Sequence, residues 1–249
     1  FKFLGNVVTG DLGVDVWSKR PVTQMIADQL PHTVALTIVG LGWSMMIGIP
    51  LGCFSAVHRN SFLDRFTAVI SVGCIAIPSF IVGLYALLLF AVELGWFPAI
   101  GAGEPGDLGD QAMHLVLPGL AVGLGWVGYL ARFVRTSMLE VMGENHIRMA
   151  RAYGIPTRRI TYIYALKLAI LPTVALLGVG VGSLISGAVF AEIIFARPGI
   201  GKMVVDAVNT RNYPIVMGGV LVTTMLFALS TLISDLIAAW LDPRVRQGF

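Results

Sequence analysis

The spelling Gly123-Leu124-Gly125-Trp126-Val127-Gly128 is a first place where residue types and spacing could do chemistry, because Gly-x-Gly-x-x-Gly can cradle a dinucleotide pyrophosphate. That use requires a strand before the glycines and a helix after them. Here the glycines lie inside an apolar run with no preceding strand, so they read as helix-packing surface, as do the pairs Gly48 with Gly52, Gly119 with Gly123 and Gly178 with Gly182. Gly201-Lys202 has the ending of a phosphate loop, but Met203 stands where Ser or Thr is needed and the first glycine is absent, so the chain itself is not expected to bind ATP. The histidines His32, His58, His114 and His146 are scattered without metal-ligand spacing. Ser183 and Ser186 have no His/Asp partner in sequence context and are expected to hydrogen-bond between helices. No catalytic residue, metal site or cofactor site is assigned. Cys53 and Cys74 lie inside apolar runs and read as packing residues.

The elements that must hold these residues belong in a bilayer. Of the 249 residues, 56% are hydrophobic and only 12% charged, and the mean hydropathy is +0.82. Soluble domains carry about a quarter charged residues. The net charge of +3 is too small for a nucleic-acid binder, and Lys and Arg sit between apolar runs rather than on one face. Five runs are expected to cross: about 33–57, 66–92 with a kink at Pro78, 113–133, 169–190 and 214–241. Residues 1–30 carry Lys2, Asp11, Asp15, Lys19, Arg20 and Asp28 and cannot span. Val14, Val16, Trp17, Val22, Met25, Ile26 and Leu30 would let part of that segment lie along the membrane interface.

Between the third and fourth runs lies a punctuated basic segment, residues 142–168. Arg148, Arg151, Arg158, Arg159 and Lys167 are opposed there only by Glu144. Lys/Arg-rich loops stay cytoplasmic. Eleven of the seventeen Lys and Arg fall in segments that this orientation places inside, Arg244 and Arg246 of the tail among them, and six fall outside. The C-terminus is thus expected in the cytoplasm. With five runs that puts Phe1 outside, which implies a sixth span preceding the present sequence. Locally, Asn145 is a candidate N-cap of a helix reaching Tyr153, Gly154 its left-handed terminator, and Pro156 a barrier to continuation. A second helix would start after Thr157 and run through Ile160, Ile163 and Tyr164. Ile147, Ala150 and Tyr153 would form an apolar face able to seat in a partner's groove. Attraction of the cations to anionic membrane lipid is the plainer reading of the same segment; it explains the charge but not the punctuation.

Among ionisable groups, Asp235 is the only one within the last run. It is a candidate intramembrane polar residue, either facing a Lys or Arg near the boundary or lining a water-filled cavity. Glu93 and Glu192 fall at run ends, where water makes their charge inexpensive.

The order Arg148-Met149-Ala150-Arg151-Ala152-Tyr153-Gly154, followed by a helical stretch closed by Leu171-Pro172, resembles the EAA loop of ABC-importer permeases. Arg148 stands where most members carry Glu, and Pro172 falls later than the usual Pro. Both departures resemble the dipeptide, oligopeptide and nickel branch. Phe195-Ala196-Arg197-Pro198-Gly199-Ile200-Gly201 is similar to that branch's extracytoplasmic re-entrant region. The likeness extends from Gly10-Asp11-Leu12-Gly13 to Leu241-Asp242-Pro243-Arg244.

The resemblance implies an all-α membrane subunit of the type I importer fold, with an extracytoplasmic segment 1–30, a transmembrane domain 31–241 and a cytoplasmic tail 242–249. It implies a second homologous permease, two ATPase subunits that do the hydrolysis, and an extracytoplasmic solute-binding protein. Asn145, Ile147, Arg148, Ala150, Arg151, Ala152, Tyr153 and Gly154 would be the ATPase-coupling residues, and the chain would do no covalent chemistry. A self-contained secondary transporter or channel is the alternative. It would show midplane coupling charges and inverted repeats.

Overall fold

The computed structural model describes residues 10–241, so Lys2, Arg244, Arg246 and the tail 242–249 lie outside the described residues. Among the described residues there is no strand, only one isolated antiparallel bridge between Val14 and Pro21. The helices are α1 (Val22–Val57), α2 (Phe62–Ala76), α3 (Ser79–Ala86), α4 (Leu108–Met142), α5 (Asn145–Ala152), α6 (Thr157–Arg159), α7 (Leu166–Ala169), α8 (Leu171–Ile194), α9 (Ile200–Asn209) and α10 (Tyr213–Leu241). Wider π turns extend α3 over Leu87–Glu93 and bridge α6 to α7 over Ile160–Ala165.

Among the described residues four helices, α1, α4, α8 and α10, are long and apolar enough to cross a membrane. The α2 and α3 pair makes a fifth if counted as one span. The sequence predicts only a kink there, yet the chain turns through 94° at this break. Pro78 has no N–H to continue the helix, and it drives Ile77 into an extended conformation (φ −84°, ψ 119°). Helix α1 also starts earlier than its apolar run. Its 36 residues span about 54 Å at 1.5 Å each, well beyond a hydrocarbon core of about 30 Å. The helix therefore runs through the expected 30/31 boundary without a break.

The chain packs as two compact units: one from the chain up to Gly40 with Ser79–Val122 and Gly182–Leu229, the other from Leu41–Pro78, Gly123–Val181 and the chain from Ser230. In the first, Leu12, Val22 and Ile26 are buried against Ile200, Ala207 and Ile215. The expected interfacial stripe is thus divided. Val22 and Ile26 close a core, while Val14, Val16 and Trp17 stay exposed because a tight turn directs them outward. That turn is built on Asp15, whose carboxylate accepts from the backbone N–H of Trp17 and Ser18, the Ser18 hydroxyl and the Asn212 amide. These donors, led by Ser18, hold its pKa down at about 2.

Close helix crossings explain the small residues. A β-carbon on Gly119 would meet the Val39 side chain at 2.7 Å, and one on Gly182 would strike the Phe227 ring. In the second unit, a β-carbon on Gly52 would lie 2.5 Å from the Ala131 carbonyl oxygen, and one on Gly178 would lie 2.6 Å from Ser234 Cβ. The fingerprint spelled by Gly123, Gly125 and Gly128 is such a surface too: a β-carbon at Gly128 would sit 2.4 Å from the Ser71 carbonyl oxygen of α2.

The serines behave differently from expectation. Ser186 returns its hydroxyl to its own helix at Gly182 O, and Ser183 is exposed, because both face away from neighbouring helices. Other hydroxyls do bond between helices, among them Ser44 to Gly123 O and Ser230 to Gly178 O.

A candidate coupling surface and the ion pairs behind it

Helix α5 begins one residue earlier than the Asn145 cap predicts. Glu144 takes the N-cap position in extended conformation (φ −71°, ψ 157°), its carbonyl accepts from Ile147 and Arg148, and its carboxylate lies 3.1 Å from His146 Nδ1. The other end closes as a Schellman motif. Ile155 N–H donates to Ala150 O, Gly154 N–H donates to Arg151 O, and Gly154 holds φ +72° as its position in the sequence predicts. Ile155 then folds back onto the core before Pro156 redirects the chain.

The apolar face of α5 points inward, which corrects the expected partner-facing set. Ile147 is fully buried and Ala150 nearly so, against Val134 and Met138 of α4 and against Ile160 and Ala165 of the returning π turn. At about 100° per residue, Tyr153 is rotated by about 120° from Ile147 and cannot share its face. Tyr153 is 77% exposed, and with Arg148, Met149, Arg151 and Ala152 it forms the outward ridge. Asn145 and Gly154 flank that ridge, also exposed. Arg148, Arg151, Arg158, Arg159 and Lys167 make no ion pair among the described residues. The result is a short cationic helix pinned from behind by its own alkyl groups.

Behind it lies a pair that sequence spacing conceals. Asp64 and Arg135, 71 positions apart, form a two-pronged bridge, Nε to Oδ1 at 2.6 Å and Nη2 to Oδ2 at 2.8 Å. Ser55 Oγ donates to the same carboxylate at 2.5 Å and Asn60 N–H at 2.9 Å. Asp64 is buried, and its neighbour in the pair sits between Val134 and Met138 in the sequence, the residues that seat Ile147.

In the other unit, Glu192 departs from expectation in the same direction. It is buried, accepts from the Thr33 hydroxyl at 2.6 Å and from Lys202 N–H at 2.9 Å, and thereby caps the N-terminus of α9. Its carboxylate is enclosed because Gly199 and Gly201 let the backbone close over it; a β-carbon on Gly199 would fall 2.1 Å from the Glu192 carboxyl carbon. Arg197 is likewise buried, and donates to His114 O at 3.4 Å. Asp235, by contrast, is exposed on α10 and pairs with no Lys or Arg among the described residues. Its helix turns that face outward.

Residues 48–247 match the family described as "Binding-protein-dependent transport system inner membrane component". The chain belongs to the ABC-importer permeases of that family. The glutathione transport system permease protein GsiC of Pectobacterium atrosepticum is 36% identical over 98% of this chain and 78% of its own length, and GsiC of Escherichia coli K12 is 34% identical over the same shares. These matches place the permease on the dipeptide/oligopeptide branch. A solved structure titled as inward-facing conformations of the MetNI methionine ABC transporter superposes with a TM-score of 0.75 over 88% of this chain and 97% of that one; at 19% identity this shows the fold. The permease is a multi-pass inner-membrane transport subunit and not an enzyme. Membership implies partners of three kinds: another permease, an ATPase and a solute-binding protein.

Proposed function

We propose that this permease forms half of a translocation pathway for a small peptide-like solute and takes its drive from the ATPase through α5. The observation that carries the reading is the exposed cationic ridge of α5 on a helix whose opposite face is locked to α4. A push on the ridge moves Ile147 and Ala150, and through Val134 and Met138 it moves a membrane-crossing helix. Asn145, Arg148, Arg151, Ala152 and Tyr153 are the contact residues in this reading, Ile147 and Ala150 the anchor, and Gly154 the terminator that fixes the angle. The assembly would contain a second homologous permease, two ATPase subunits and one extracytoplasmic binding protein. Residues 142–168 and the tail 242–249 would face the cytoplasm and residues 1–30 the opposite side, an orientation supported by the Lys/Arg asymmetry. Glutathione, named for the relatives, is itself a peptide, which supports the solute class.

Two substitutions test the docking. Arg151→Glu reverses a charge at the ridge without touching the buried face, so the ATPase should no longer co-purify with the permease in detergent. Co-purification at the native level would remove Arg151 from the contact. Gly154→Val forces a β-branched side chain into the left-handed region, a strain of about 1–2 kcal/mol that reopens the Schellman turn. In proteoliposomes holding the complete importer, ATP hydrolysis should continue while uptake falls; normal uptake would argue against α5 as the lever.

A further inference from the structure

A cavity of about 460 Å³ lies on one face of α4, walled by Ile75 of α2 and Pro172 of α8. Tyr129, Arg132, Phe133, Thr136, Ser137 and Glu140 line it, and their spacing of three and four residues makes them a single stripe. This volume is within the range of small-molecule sites, about 300–1,000 Å³. Arg132 and Glu140 are exposed in it, and neither has an ion-pair partner among the described residues. A basic and an acidic side chain held apart along one wall, with two aromatic rings and the Thr136 and Ser137 hydroxyls on that wall, describe a receptor for a solute with separated opposite charges.

We infer that this groove is a way-station in the pathway for a short zwitterionic peptide, its carboxylate on Arg132 and its ammonium on Glu140. The inference rests on the permease reading above and deepens it by naming residues for the solute. Eight residues of helix separate the two charged positions by about 12 Å. Both side chains lean toward the N-terminus of α4, so their charged ends stay about that far apart. An extended peptide covers at most about 3.3–3.6 Å per residue, so about three residues bridge the gap. A single free amino acid carries both charges on one α-carbon and falls short. Arg132 can hold a carboxylate by two parallel N–H bonds. Thr136 stands between the two charges; its hydroxyl donates to Arg132 O and keeps a lone pair for a peptide N–H, while Tyr129 and Phe133 offer apolar surface to side chains.

The test is equilibrium binding of labelled trialanine to the intact nucleotide-free importer complex in detergent, without the solute-binding protein. Arg132→Gln and Glu140→Gln should each weaken binding about tenfold, the scale of one charge-assisted hydrogen bond. Trialanine amide should bind the native complex about tenfold more weakly than trialanine and be indifferent to Arg132→Gln; N-acetyl-trialanine should show the same pattern with Glu140→Gln. The comparison of the three peptides on the native complex needs no variant to fold. Equal affinity for all three, or no binding of any, overturns the inference. ATPase co-purification is scored on the same preparations: its presence without peptide binding sinks the groove alone, and its absence sinks the proposed coupling through α5 as well.

Discussion

Glu192→Ala is expected to be the most damaging single substitution in this permease. The carboxylate is 1% exposed and accepts from Thr33 Oγ1 and from the backbone N–H groups that open α9. Alanine leaves the Lys202 N–H buried without its acceptor and opens a void where Gly199 and Gly201 had closed over the carboxylate. It also removes the negative charge whose field acts on buried Arg197. Each buried donor left without its acceptor costs about 1–3 kcal/mol, and Thr33 Oγ1 and Lys202 N–H both lose theirs. Glu192→Gln keeps the shape and one acceptor oxygen while its amide turns a donor toward other donors, so about 1–3 kcal/mol is expected from that variant. Thermal unfolding of the purified protein in detergent should rank native above Gln above Ala. A Gln variant as damaging as Ala would mean that the negative charge matters and the hydrogen-bond geometry does not. An Ala variant that melts with the native protein would mean that Glu192 holds nothing together.

The contrast between Glu192 and Gly154 shows what could be read in advance. Gly154 was legible because its surroundings are local: a helix, a left-handed residue and a proline follow one another in sequence, and the Schellman turn needs nothing from elsewhere. The membrane helices were legible for a similar reason, since length and hydropathy are properties of a single run. Glu192 is not legible in this way because one partner, Thr33, lies 159 positions away and the other, the N-terminus of α9, is brought back onto it by the intervening turn. A carboxylate at the end of an apolar run is inexpensive if water reaches it, and only the glycines at 199 and 201 hinted that backbone would close there instead. Ile147 and Ala150 failed for a related reason. Their spacing marks an apolar face, but spacing does not say whether that face meets a partner or the chain's own α4. Two amphipathic solutions share one pattern, and the returning turn with Ile160 and Ala165 decides between them.

Asp64→Ala should have the second-largest effect, and it connects stability to coupling. Asp64 has a side chain 5% exposed, while that of Arg135 is 29% exposed. Removing the carboxylate strands a guanidinium that water can partly reach, so a loss of about 3 kcal/mol is expected, the lower end for a broken buried pair. Ser55 Oγ and Asn60 N–H lose their acceptor in the same step, which loosens the junction between α1 and α2. Arg135→Lys keeps the charge but cannot span both carboxylate oxygens with a planar fork, so it should fall between native and Asp64→Ala. The double variant Asp64→Ala with Arg135→Ala should lose less than the sum of the two single changes, because no unpaired charge is left behind. Arg135 sits between Val134 and Met138, the floor under Ile147, and slack there should reach α5. The complete importer carrying Asp64→Ala should therefore spend more ATP per solute moved, measured as hydrolysis against uptake in the same proteoliposomes. If the melting temperature drops while that ratio stays native, the pair is a staple for the fold with no part in transmitting the stroke.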